Sequence, residues 1–438
     1  MELRKNNNHI RIIIFSCLIV ALSLLMPGLI YGQEENKTMP DTSVTQKPLP
    51  AEEELPAPVK NPWNQFDLGF TTLRLGGGYI LDYVTHAQDD NGKIQSDSLD
   101  IELKPTFATR DFRFLVNGYF NTKMPIQWKM AVMFDGVNRE WLVRETGLVF
   151  TLKKLNSQVF VGRTKEGFSL PKTMNGHSPW SVERQMAVDL VPIMADGIRL
   201  YTYLPKSRVF WTLGAFNDVI SHEQKFSTFA EQYVVRLGWL PYYNKEDNKL
   251  LHIAGYFRYG KPENGSFRAR SRPMSNASPY FIDTDVFQSD HSVSYGTEIY
   301  YNSGSLQLGS ELYIHKFQSD IAEDHVFPGG DISISYIFTG ESRPYNTTGN
   351  IYGFVPVNKP LGKDGGFGAW EGVITFSTFD LNDGSIQGGS LWRITPMVNW
   401  YMNKIVRVEF VYGYGVLDRF GIKGGTHFFQ SRIQFTIG

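Results

Sequence analysis

Three arginines, Arg268, Arg270 and Arg272, alternate within Ser266–Pro273, so an extended segment would align them on one side. Guanidinium forks match phosphate and carboxylate oxygens, and three in a row could draw anions toward a mouth. They could equally meet anionic lipid or keep a loop soluble. A second set of charges recurs at alternate positions of otherwise apolar segments. The cations are Arg74, Arg113, Lys129, Arg199, Arg236, Arg258, Arg393, Arg407 and Arg432; the carboxylates are Asp82, Asp135, Glu145, Glu298, Glu311, Glu371 and Glu409. The two signs nearly balance, which suits cross-strand ion pairs bracing a wall more than a dedicated phosphate path. Catalytic chemistry has little to build on. His177, His222, His252, His291, His315, His325 and His427 are scattered, with no His-Glu-x-x-His spacing and no neighbouring sharp-turn serine. Gly76-Gly77-Gly78 and Gly365-Gly366 read as strand bends, not phosphate cradles. No enzyme, metal site or cofactor is expected.

The elements that position these charges are dyad-repeating strands. From Ser390, Trp392, Ile394, Val398 and Trp400 share one parity, and Arg393, Thr395, Asn399 and Tyr401 the other. After Asn403-Lys404, Val406, Val408, Phe410, Tyr412 and Tyr414 oppose Arg407, Glu409, Val411 and Gly413. Successive side chains of a strand point to opposite faces, so each segment has an oily and a wet side. An oily outside with charges opposite is the pattern of a barrel in lipid, where an outward Arg or Lys near mid-membrane costs about 2–4 kcal/mol. The pattern predicts about sixteen strands, at 68–84, 112–121, 126–135, 143–152, 157–164, 195–204, 208–218, 230–240, 250–260, 290–302, 305–317, 331–340, 367–379, 390–402, 405–418 and 427–437. Every second connection is short, and the intervening ones are expected to be longer outer loops. One connection, 341–366, falls on the short-turn side yet is long. Either it folds against the periplasmic rim or the strand count slips there. Aromatic pairs at strand ends (Trp239, Tyr242-Tyr243, Tyr300-Tyr301, Trp400-Tyr401) suit girdles at the lipid interfaces.

A basic start (Arg4, Lys5, Arg11), an apolar run Ile12–Ile30 and Gly32 read as a secretory signal over 1–32, with an uncleaved anchor as the alternative. Residues 33–65, rich in Pro, Glu, Lys and Thr, read as a disordered periplasmic linker. The barrel domain is placed at 66–438. The one cysteine, Cys17, lies in the leader, so no disulfide holds the mature chain. A net charge of −1 argues against a nucleic-acid partner. A mean hydropathy of −0.25, with a single apolar run long enough to span, excludes a helical membrane protein.

From Asp67 to Gln434 the chain resembles the phosphate-selective porin O and P family of outer-membrane channels. The resemblance rests on Val161-Gly162-Arg163-Thr164-Lys165-Glu166-Gly167-Phe168, Glu183-Arg184, Phe216-Asn217, Gly368-Ala369-Trp370-Glu371, Asp380-Leu381-Asn382-Asp383, Asn399-Trp400-Tyr401 and Arg432-Ile433-Gln434-Phe435. It implies a homotrimer and a third outer loop folded into the lumen, here 165–196. Arg163, Lys165, Lys172 and Arg184 are then candidates for the constriction, alongside His177 and Trp180. The family's arginine ladder is not matched residue by residue, so anion selectivity does not transfer with the fold. The expectation is an all-β transmembrane barrel in a Gram-negative outer membrane, passing small hydrophilic solutes or anions by passive diffusion. The alternative is a non-conducting scaffold barrel that docks envelope partners.

Overall fold

The computed structural model describes residues 62–218 and 229–438. The leader, nearly all of the linker and residues 219–228 lie outside the described residues. Sixteen antiparallel strands form the wall: β1 (Thr72–Gln88), β2 (Thr106–Phe120), β3 (Ile126–Asp135), β4 in two pieces (Glu140–Val143 and Thr146–Leu152), β5 (Ser157–Thr164), β6 (Ala195–Leu204), β7 (Val209–Asn217), β8 (Phe229–Asn244), β9 (Lys249–Pro262), β10 (His291–Ser303), β11 (Leu306–Gln318), β12 (His325–Ile337), β13 (Ala369–Asp383), β14 (Ile386–Tyr401), β15 (Val406–Arg419) and β16 (Ile422–Ile437). Each pairs with its neighbour in sequence, and β16 returns to β1 with Ile437 opposite Gly77 and Thr426 opposite Gln88. Closure leaves no strand edge to satisfy in hydrocarbon. A short segment, Gln65–Asp67, adds to β1 where β16 ends; Asn64, assigned above to the linker, accepts from Leu75 N at 2.8 Å.

The dyad pattern decides the facing. On β14, Trp392, Ile394 and Val398 are 37–41% exposed on the outside, while Arg393, Thr395 and Asn399 are at most 2% exposed inside. Trp239 and Tyr242 face outward, and the Trp370 and Trp400 rings stack outside at 5.0 Å. Tyr300 and Tyr401 correct the girdle expectation. Their parity turns them inward, where each hydroxyl donates to a wall carboxylate, Glu311 and Glu371, at 2.7 Å.

Connections 121–125, 153–156, 205–208, 245–248, 304–305 and 402–405 are short and share the end where β1 begins. The opposite end carries long connections at 89–105, which includes α1 (Asp90–Ser98), at 165–194 and at 263–290, but departs from expectation elsewhere, beginning with the four-residue connection 136–139. Gly384-Ser385 and Phe420-Gly421 are two-residue turns, because β13–β16 extend past their predicted outer ends. Gly384 (φ +56°) and Gly421 (φ +77°) supply the left-handed backbone such tight turns require.

The connection 338–368 is on the short-turn end, so the strand count did not slip, and it folds inward. It forms a small hairpin, Tyr345–Asn346 with Ile351–Tyr352. Three inserts thus fill the barrel: the third outer loop, the hairpin Ser266–Ser271 with Ile282–Gln288 in the fifth outer loop, and 338–368. One apolar cluster joins Phe168, Met186 and Val188 to Phe267, Phe281 and the wall residues Phe379, Leu391 and Leu417. A second joins Leu170, Met174 and Trp180 to Tyr300, Tyr345, Tyr352, Val373 and Met397.

Candidate functional site

The third outer loop is hung across the interior by side chains of the far wall. Gln434 donates to His177 O (2.9 Å), Arg407 to Pro179 O (2.9 Å), Asn399 to Trp180 O (2.8 Å) and Arg432 to Val182 O (2.5 Å). From the 338–368 connection, Arg343 adds a bond to Ser178 O at 2.8 Å and pairs with Glu371 at 2.9 and 3.0 Å. A loop inside a barrel has carbonyls with no ladder to join, and unpaired buried carbonyls are costly. Cations of β15 and β16 meet that need.

Three of the four constriction candidates, Lys165, Lys172 and Arg184, serve the same end from within the loop. Lys165 donates to Thr173 O (3.0 Å) and Met174 O (2.5 Å), at the end of the short helix α2 (Leu170–Thr173). Lys172 donates to Val188 O, and Arg184 to Pro171 O (2.9 Å) and Met174 O (3.3 Å). Arg163, fully buried, donates to Val143 O at 2.8 Å and to Asp196 at 3.1 Å. Lys172 and Arg184 also line a cavity.

The wall cations point inward as parity requires, but most face packed protein. Arg236 bonds Glu298 at 2.8 and 2.7 Å, and Arg258 bonds Glu166 at 2.9 Å; both are 0% exposed. Arg407 pairs with Glu409 (2.9 Å), Lys129 with Glu145 (3.4 Å), and Arg199 donates to Lys165 O (2.7 Å). Arg113 pairs with Asp111, and Arg393 donates to Arg272 O at 3.1 Å.

Above these inserts lies an outer vestibule of about 640 Å³, between the third loop, β2–β4 and the fifth loop. Eight cations line it (Arg110, Arg113, Arg144, Lys172, Arg184, Arg268, Arg270 and Arg272) against four carboxylates (Asp135, Glu183, Asp189 and Glu263). Arg268, Arg270 and Arg272 all line this cavity, with Phe267, Ala269 and Ser271 buried on the opposite side of the segment. The bulge of this hairpin lies on the partner strand, where the four residues 283–286 face the three residues 268–270. Arg268 turns to solvent and is held by Asp283 at 2.7 Å through two bonds. Arg270 and Arg272 instead lie 4.1 Å from the Tyr280 ring, and neither has a carboxylate partner among the described residues. Arg110 grips Glu183 at 3.0 and 2.8 Å. Burial, followed by the Arg110 guanidinium, lowers Arg184 to about 10.

Arg110, Arg144 and Tyr280 escaped the sequence reading. Arg110 is the extra residue of a bulge opposite Ile80 and Leu81, and Arg144 sits where β4 breaks. Bulges suspend the two-residue alternation from which inward residues were read. A charged pair of adjacent residues, Arg110-Asp111 or Arg144-Glu145, is the signal that could have revealed them.

A closed, even-stranded antiparallel barrel with an apolar outside, charged inside and inward-folded loops is the architecture of an outer-membrane porin. The profile of the family described as phosphate-selective porin O and P matches residues 89–435. The chain belongs to that family, and its place is the outer membrane of a Gram-negative bacterium. Among solved structures, OmpT of Vibrio cholerae is similar at TM-score 0.53 and 11% identity, over 85% of this chain and 99% of that one. OmpF of Salmonella typhi gives 0.53 and 11%, over 85% and 100%. An anion-selective porin from Comamonas acidovorans gives 0.50 and 12%, over 84% and 99%. At these identities the likeness is one of fold. An uncharacterized protein of Caulobacter vibrioides is 30% identical over 152 residues; the match spans 34% of this chain and 30% of that relative's length.

Proposed function

We propose that this porin passes small hydrophilic solutes by passive diffusion, with a preference for anions set at the outer vestibule. The observation that carries the reading is the excess of eight cations over four carboxylates around one cavity, with Arg270 and Arg272 left without a carboxylate. Fixed charge of one sign in a walled cleft raises the local concentration of the opposite ion. Phosphate and small carboxylates fit the guanidinium chemistry. No catalytic step belongs to this reading. The working unit is a homotrimer, a proposal supported by the family and by one OmpT structure of Vibrio cholerae described as a trimer form.

A second reading, a scaffold barrel closed to solutes, is favoured by the packing of Trp180, Tyr300 and Tyr352, all at most 3% exposed, across the periplasmic half. Planar bilayers separate the two. Single-channel current with an anion-shifted reversal potential in a salt gradient supports the porin with anion preference. Current with no shift removes the preference, and folded but silent protein supports the scaffold.

A further inference from the structure

The third outer loop meets the wall along two seams, one made through its carbonyls and one through a 3-10 turn. Toward β14–β16 and the 338–368 connection, its carbonyls from His177 to Val182 are met by Gln434, Arg343, Arg407, Asn399 and Arg432. Toward β12 and β13 it lays down the 3-10 turn Met186–Leu190 instead. There Gln185 donates to Asp331 at 3.1 Å, and the wall beneath is left poorly matched.

The register makes that wall an ordered strip. Asp331, Ser377 and Arg393 lie side by side on β12, β13 and β14, and the next inward rung holds Ser333, Thr375 and Thr395. Asp331 Oδ1, Ser377 Oγ, Arg393 Nε and Nη2, Thr375 Oγ1 and Thr395 Oγ1 are all buried without a hydrogen-bond partner. Their residues are at most 3% exposed. Folded proteins leave few buried polar atoms unmatched, and six of those in this interior fall on these two adjacent rungs. Hydroxyls suit a wetted surface and are wasted under Met186 and Val188. The strip also begins at the vestibule floor: Val188, Asp189 and Arg272 line that cavity, and Arg393 donates to Arg272 O at 3.1 Å.

We propose that solutes leave the vestibule through this seam, where the turn Met186–Leu190 parts from β12 and β13 and exposes a hydroxyl strip as the solute-contacting wall. The strongly bonded segment His177–Val182 stays in place and acts as the hinge side. Ser377, Thr375 and Thr395 each offer a donor and an acceptor, and so can replace water around a hydrated anion or a polyol alike. Arg393 adds a cation at the entrance. The proposal rests on the porin reading only in that there are solutes to pass. It is independent of the sign of their charge.

Because Cys17 is the one cysteine and lies in the leader, the barrel accepts single cysteines cleanly. Ser377→Cys, Thr375→Cys and Thr395→Cys would each be treated with an anionic methanethiosulfonate in the full-length exported protein. Thr202→Cys is the control, since Thr202 is also inward and 3% exposed but bonded to Ser157 at 2.8 Å. Labelling followed by mass spectrometry is expected to run at least ~10-fold faster at the strip than at the control, with a stepwise fall in single-channel conductance. Rates equal to the control, or complete labelling with unchanged current, would overturn the seam. If a threonine variant does not fold, Ser377→Cys, which exchanges only oxygen for sulfur, decides alone. Fast labelling in a barrel that carries no current supports the seam and overturns the conduction reading, so the two fail separately.

Discussion

Replacing Arg270 and Arg272 together by Gln removes two vestibule cations that have no carboxylate partner among the described residues, and tests the anion preference most directly. A sphere of about 640 Å³ has a radius of about 5 Å, which sets the distance from the lining charges to an ion at the centre. In water one charge at that distance is worth about 0.8 kcal/mol, before screening. With a screening length of about 10 Å at 0.1 M salt, it falls to about 0.5 kcal/mol. Losing both therefore costs about 1 kcal/mol, roughly a fivefold drop in local anion concentration. At 1 M salt, with a screening length of about 3 Å, the same loss is about 0.3 kcal/mol, or less than twofold. The assay is the reversal potential of single channels in KCl gradients at low and high mean salt. The anion-to-cation permeability ratio should fall by several-fold at low salt and hardly change at high salt. Arg268→Gln alone should do little, because Asp283 already offsets Arg268. An unchanged ratio at 0.1 M, or an equal drop at both salt levels, would refute the electrostatic reasoning.

Two further outcomes follow from the loop that floors the vestibule and from the connection beneath it. Burial lowers the Lys172 ammonium to about 7, against the opposing pull of Asp189 and Glu166. The amine is thus charged below that pH and neutral above it, so acidification from pH 8 to pH 6 should raise the anion ratio roughly twofold, one charge's worth. A Lys172→Met channel should lose this step; if the step survives in it, another group is titrating. Arg343→Met strands the buried Glu371 without its cation and should cost about 3–5 kcal/mol in chemical unfolding. Arg343→Met with Glu371→Gln should recover most of the loss, while a single-variant cost under about 1 kcal/mol would show that the pair does not hold the 338–368 connection.

The sixteen strands were legible because each carries its own proof. Trp392, Ile394 and Val398 must face lipid if Arg393, Thr395 and Asn399 face inward, and that contrast is written within a few consecutive residues. Long connections were less legible. The residues that draw 338–368 inward, Arg343, Tyr345, Asn350 and Tyr352, follow no period, and their partners come from β8–β10, β13 and the third loop. Parity also failed where the backbone adds a residue, at Arg110 and at Arg144.

The alternation of side chains against lipid determined, from the sequence by itself, the barrel, its strand number and which charges point inward. The tertiary structure decided what those charges do once inside. Arg258 finds Glu166 across 92 residues and Arg343 finds Glu371 across 28, and Lys165, Lys172 and Arg184 spend their charge on loop carbonyls. Lipid acts on every residue of a strand in the same way, so its imprint is periodic and local. A buried cation takes whichever oxygen the closed barrel brings within reach, and that proximity exists only after folding.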